Sequence, residues 1–109
     1  MITAKRLVAG SALTVALATY YTVPAGTTTI LKEIVLCNTD TSARTVDLHI
    51  IPSAGTGAVA NQIFQDSAIQ AGETKIFSVS QVLPAGSFLQ ALASTGAVVS
   101  LNCSGVEIT

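Results

Sequence analysis

Residues 22–52 read TVPAGTTTILKEIVLCNTDTSARTVDLHIIP: a turn, a β-type run, a polar connection and a second β-type run. The first run, Thr27 to Asn38, is rich in β-branched residues. The second, Arg44 to Ile51, alternates, with Val46, Leu48 and Ile50 on one face of an extended chain and Asp47 and His49 on the other. Thr39-Asp40-Thr41-Ser42 has the length and polarity of a hairpin loop, so the two runs are expected to pair. Ile30, Ile34 and Leu36 against Leu31, Val35 and Cys37 place apolar residues on both faces of the first run. That is the pattern of a central strand covered on two sides, with a bulge expected near Lys32.

The turn that opens this stretch, Val23-Pro24-Ala25-Gly26, returns as Ile69-Gln70-Ala71-Gly72 and Leu83-Pro84-Ala85-Gly86, each time before a fresh β-type run. Type I or II turns with glycine supplying positive φ account for all three. Between and beyond them lie a short strand at Ala18–Val23, a loop at Ser53–Ala58 and one helical turn at Val59–Gln62. Further strands follow at Ile63–Ile69, interrupted by Asp66-Ser67, and at Glu73–Val79, with Phe77 and Val79 on one face and Ile76 on the other. Ser87–Ser94 and Val98–Ile108 complete the set, and Gly105 marks a bulge because Val106 and Ile108 change parity. Seven or eight strands at this spacing, with no segment fit for a long helix, predict an all-β fold. It is read as an antiparallel β-sandwich, jelly-roll-like, with an extended N-terminal arm. Residues 1–17 form the arm or an edge strand and residues 18–109 the sandwich.

The first segment imitates a secretory signal, since Lys5-Arg6 precedes an apolar run from Leu7 to Leu17. Gly10, Ser11 and Thr14 dilute that run, and it is too short to span a membrane as a helix. It is read as part of the folded protein, an arm or edge strand that gains order by lying on something else.

At 109 residues the chain makes one domain. A net charge of −1 provides no electrostatic footprint for nucleic acid. Only 10% of residues are charged, against about 25% in an ordinary domain, and mean hydropathy is +0.62. Such a chain hides part of its surface against a partner, and no membrane partner is expected. Cys37 and Cys103 stand in different strands and read as two reduced, buried thiols, with an inter-sheet disulfide as the alternative.

Catalytic constellations are weak. His49 follows Asp47 by two residues on one strand face, but adjacent strand positions alone build no nucleophile-base-acid array, and an exposed or interface histidine is the simpler reading. His49, Cys37 and Cys103 lack metal-ligand spacing. The acids Glu33, Asp40, Asp47, Asp66, Glu73 and Glu107 are scattered, and Gly55-Thr56-Gly57 lacks the residues of a phosphate loop. No enzyme activity, cofactor or metal is expected.

Taken whole, ITAKRLVAGSAL, TYYTVPAGTTTILKEIVLCNTDTSARTVDLHIIPSAG, IQAGETKIFSVSQVLPAGSFLQALAS and SGVEIT resemble a group of small tailed-phage virion structural proteins over nearly the full length. By size and fold class the chain is similar to head decoration, cement or staple proteins of short-tailed phages. The resemblance implies a protein of the virion, assembled in the host cytoplasm. It would stabilise the head by bridging capsid subunits, with the major capsid protein and copies of itself as partners, in a homo-oligomer. Interface residues are then expected at Lys5, Arg6, Leu7 and Val8 in the arm and at Asp40 and Arg44 by the loop tip. The alternatives are a neck, tail or fibre-associated β-sandwich, and a host-surface or carbohydrate-binding module. The last starts behind, since only Tyr20, Tyr21, Phe64, Phe77 and Phe88 are available to stack on a sugar.

Overall fold

The computed structural model describes all residues from Met1 to Thr109. Eight strands run β1 (Ile2–Ala12), β2 (Ala18–Thr22), β3 (Thr28–Asn38), β4 (Arg44–Ile51), β5 (Gln62–Ile69), β6 (Thr74–Leu83), β7 (Phe88–Ala93) and β8 (Val99–Ile108), with one 3-10 turn at Val59–Asn61 before β5. They form two four-stranded sheets, β1-β8-β3-β6 and β2-β7-β4-β5. Strand 1 pairs with 8, 2 with 7, 3 with 6 and 4 with 5, all antiparallel. The chain is therefore one long ribbon doubled back on itself and rolled up, which is the jelly-roll arrangement expected from the sequence.

The expected hairpin is corrected. The runs at 27–38 and 44–51 do not form a hairpin, because β3 and β4 belong to opposite sheets and residues 39–43 carry the chain across. The device that turns the corner is Asn38, which is fully buried. Its Nδ2 donates to the carbonyls of Ser42 at 2.9 Å, Ile69 at 3.0 Å and Gln70 at 3.3 Å, while its Oδ1 accepts from the amide of Asp40 at 3.0 Å. Those bonds satisfy backbone groups that would otherwise pair along a hairpin ladder, and they tie the β3–β4 corner to the β5–β6 corner.

The three repeated turns also cross between sheets. Hydrogen bonds from Thr27 to Pro24, Glu73 to Gln70 and Ser87 to Pro84 close them, with Gly26, Gly72 and Gly86 at φ of +70°, +70° and +85°. Positive φ at the third position makes them type II, and glycine meets that requirement without a Cβ clash. The first and third lie side by side, with Val23 donating to Ser87 and Gly86 to Val23.

Aliphatic residues from both sheets fill the core, including Leu31, Ile34, Leu36, Leu48, Leu83, Leu89 and Leu101. On β3 the inward positions are Thr29 and Leu31, then Ile34, Leu36 and Asn38. The parity change falls at Lys32, where both neighbouring ladders slip. The bulge near Lys32 is thus present, and it reassigns Ile30, Val35 and Cys37 to the outer face. β8 runs without a slip and carries no bulge at Gly105, contrary to expectation. The irregularities lie in its neighbours, at Leu7 in β1 and Lys32 in β3, and they press inward on Gly105. A Cβ there would overlap the Ile30 carbonyl oxygen and meet Leu7 Cδ1 at 3.1 Å.

Residues 2–12 are a sheet strand along their whole length. Of the arm/edge-strand alternatives, the chain takes the edge strand. Leu7 and Val8, expected at an interface, are instead buried at 8% and 3% exposure as part of the core. Two slips in register, at Leu7 and Gly10, explain why no alternation is readable in this segment.

Candidate functional site

Strands lying two deep in a sandwich must alternate, and inward residues of the β1-β8-β3-β6 sheet are satisfied by the core. More than half of the outward residues of the same sheet are also apolar. Across the four strands, Ala4, Val106, Ile30 and Val82 stand side by side; two residues along, Arg6, Ser104, Glu33 and Ser78; then Ala9, Asn102, Val35 and Ile76; and finally Ala12, Ser100, Cys37 and Thr74. Ile2, Ile76 and Val82 are 71%, 64% and 63% exposed. β6, which carries two of these, is an edge strand with a free row of backbone donors and acceptors. Arg6 donates to Asn102 Oδ1 at 2.9 Å, and neither it nor Glu33 has an ion-pair partner within the chain.

The outer face of the other sheet is partly covered by the chain itself. The loop after β4 folds back over it, so that Ile51, which points away from the core, is fully buried, and Gly57 sits against the side chain of Leu17. Asn61 holds this flap closed, donating from Nδ2 to the Thr56 carbonyl at 2.9 Å and accepting at Oδ1 from the Ala58 amide at 3.1 Å. The same Oδ1 lies 2.8 Å from His49 Nδ1. Since that oxygen only accepts, His49 carries a proton on Nδ1. His49 is 8% exposed, which corrects the expectation of an exposed or interface histidine. Asp47 does not orient it. That carboxylate accepts from the Asp66 amide at 2.6 Å, where β5 bulges with Asp66 at φ +48°.

A polar network ties the two sheets together at one end of the sandwich. The Tyr21 hydroxyl donates to Glu107 Oε2 at 2.6 Å and accepts from Thr29 Oγ1 at 2.7 Å, while Lys5 Nζ pairs with Glu107 Oε1 at 3.2 Å. Burial, followed by the Glu107 carboxylate, pushes the Tyr21 phenol up to about 12. The bond from Tyr21, with Lys5 behind it, holds Glu107 below the usual carboxylate range. Four strands meet in these residues, so the network serves cohesion.

The six residues expected at an interface are not brought together. Lys5 and Arg6 lie exposed on the edge strand β1, Lys5 paired with Glu107 within the chain, and Leu7 and Val8 point inward. Asp40 and Arg44 sit beyond the end of β3, about 20 Å along the strand direction from Glu33. There they bind each other, with Arg44 Nε donating to Asp40 Oδ2 at 2.7 Å, and Arg44 holds the Asp40 carboxyl below its ordinary range. Cys37 and Cys103 are free, on adjacent strands of one sheet and on opposite faces, so an inter-sheet bridge is ruled out by placement. Cys37 is only half-buried; Cys103 is buried, and burial pushes its thiol up to about 12. Sequence reading missed the outer apolar face as a unit. Its trace in the sequence is the apolar content on both sides of β3, the pattern of a central strand covered on two sides.

No family model matches this chain, and no curated protein matches it. Solved structures do. The viral particle of infectious bursal disease virus aligns with a TM-score of 0.57 at 10% identity, covering 99% of this chain and 31% of that one. A subviral particle of VP2 from the same virus gives 0.53 at 13%, covering 98% and 32%. A subunit of Bacillus endospore appendages, described as disulfide-linked pili, gives 0.57 at 16%, covering 99% of this chain and 88% of that one. This chain spans about a third of the viral capsid chains and most of the pilus subunit. At such identities the likeness establishes a shared fold: the chain has the β-sandwich found in viral capsid proteins and in a pilus subunit.

Proposed function

We propose that this chain is a virion structural protein of a tailed phage, a head decoration or cement protein that binds the major capsid protein and copies of itself and stabilises the head by bridging capsid subunits. The observation that carries the proposal is the division of the molecule's outside. One sheet is partly covered by its own loop, while the other presents a bare surface about four strands wide that is more apolar than polar and carries few charges. Faces of this kind serve association. Use of the same fold in viral capsid chains supports the reading. Lys5, Arg6, Asp40 and Arg44 remain the proposed polar contacts, and many modest interfaces on one shell add through multivalency. No catalytic step forms part of this role.

A second reading, a neck, tail or fibre component, is favoured by the match across most of a pilus subunit. Copy number separates the two. Purified virions of the source phage are quantified for this chain against the major capsid protein. A count comparable to the capsid protein is expected; a count of roughly a dozen transfers the protein to the neck or tail, and absence from particles overturns both.

A further inference from the structure

We infer that the outer face of the β1-β8-β3-β6 sheet docks a second copy of this chain, face to face about a two-fold axis. The inference deepens the assembly reading above by naming the occupant of that face, and it stands or falls on the isolated protein.

The argument is the self-complementarity of the face. An axis parallel to the strands, passing between β8 and β3, lays β1 of each copy over β6 of the other, and β8 over β3. Residue heights along the strands are preserved by that rotation. The small residues of β1 then meet the large, most exposed residues of β6: Ala4 lies over Val82 and Ala9 over Ile76. In the centre Val106 lies over Ile30. The charges follow the same symmetry. Within one chain Arg6 and Glu33 are separated by two strand spacings, with Ser104 between them, and make no pair; across the axis Arg6 projects from the facing sheet toward the other copy's Glu33, offset sideways by one strand spacing of about 5 Å, so the two long side chains can meet in the gap between the sheets, twice per dimer.

The size is sufficient. Four strands at about 4.8 Å by ten or eleven residues at about 3.3 Å cover roughly 650 Å² on each copy, or roughly 1,300 Å² for the pair, within the range of specific interfaces. Twisted sheets stack in this aligned manner at about 10 Å. The opposite sheet offers no equally continuous face, because the 52–61 loop lies over Ile51 and His49 on its outer surface.

The experiment is sedimentation equilibrium of the full chain with a charge swap. The wild type is expected at twice its 11.1 kDa mass at micromolar concentration. Arg6→Glu and Glu33→Arg each turn two attractive pairs repulsive and should weaken the dimer at least about tenfold. The double variant Arg6→Glu/Glu33→Arg should return to within about threefold of wild type. Val82→Asp, at a site 63% exposed in the monomer, should leave a folded monomer, with circular dichroism reporting the fold. A wild type that stays monomeric at about 100 μM overturns the inference, and so does a double variant no tighter than the singles. Either result leaves the copy number on particles untouched, so failure here and failure of the virion role are told apart.

Discussion

Replacing Asn38 by alanine should cost this protein a large part of its stability, and the size of the loss follows from the atoms involved. The amide is fully buried and makes four bonds to backbone groups of two segments, the β3–β4 corner and the β5–β6 corner. Its orientation is unambiguous, since three carbonyls surround Nδ2 and an N–H faces Oδ1. In Asn38→Ala the Ser42 carbonyl, on an exposed residue, turns to water. The buried Ile69 carbonyl and the part-buried Asp40 amide lose this bond, at about 1–3 kcal/mol each. A loss of about 2–4 kcal/mol is therefore expected, against about 5–15 kcal/mol for a domain of this size. In urea unfolding this lowers the midpoint by about 1–2 M with the slope unchanged. Asn38→Asp sharpens the test. It keeps the acceptor for Asp40 but aims a carboxylate at three carbonyls, so at pH 7 it should be worse than alanine and should recover on acidification. A loss below about 0.5 kcal/mol for alanine, or an aspartate variant as stable as wild type, refutes the corner role.

Three further outcomes follow from the packing. Gly105→Ala, tolerable on an open strand face, should cost about 3 kcal/mol or more here, because the added methyl meets Ile30 backbone that two bulges hold in place; thermal melting checks it. Leu7→Ala should cost about 2–4 kcal/mol in chemical denaturation while Lys5→Ala stays within about 0.5, and equal effects would contradict the edge-strand placement of residues 2–12. For Tyr21→Phe the pH dependence is diagnostic. Glu107 is depressed in the folded state, so its contribution is present above its ordinary value of 4.5 and fades as pH falls through the lower folded value. Tyr21 is raised, so its contribution is whole below 10 and fades toward about 12. The gap between wild type and variant should be widest near neutral pH and close at both extremes, and a gap independent of pH would show that the network does not form.

The 3-10 turn, the bulge at Lys32 and the three Gly turns were legible because each rests on local chemistry: glycine admits positive φ, and a charged pair breaks an apolar run. The hairpin between residues 27–38 and 44–51 was misread for the same reason. A short polar loop allows pairing, and the buried Asn38, two of whose partners, Ile69 and Gln70, lie more than thirty residues away, ties the corner into the crossing instead. Leu7 and Val8 were misplaced because two bulges erase the alternation that marks a strand.

Alternating apolar positions and turns spaced eight to fourteen residues apart determined that this chain is an all-β sandwich, and its low charge is what the proposed assembly role rests on in the sequence. Which strands pair, which face the chain covers with its own loop and which it leaves bare were decided only by tertiary structure. Alternation is a property of one strand, while strand order and face coverage depend on contacts between residues far apart in sequence, where no local pattern records the choice.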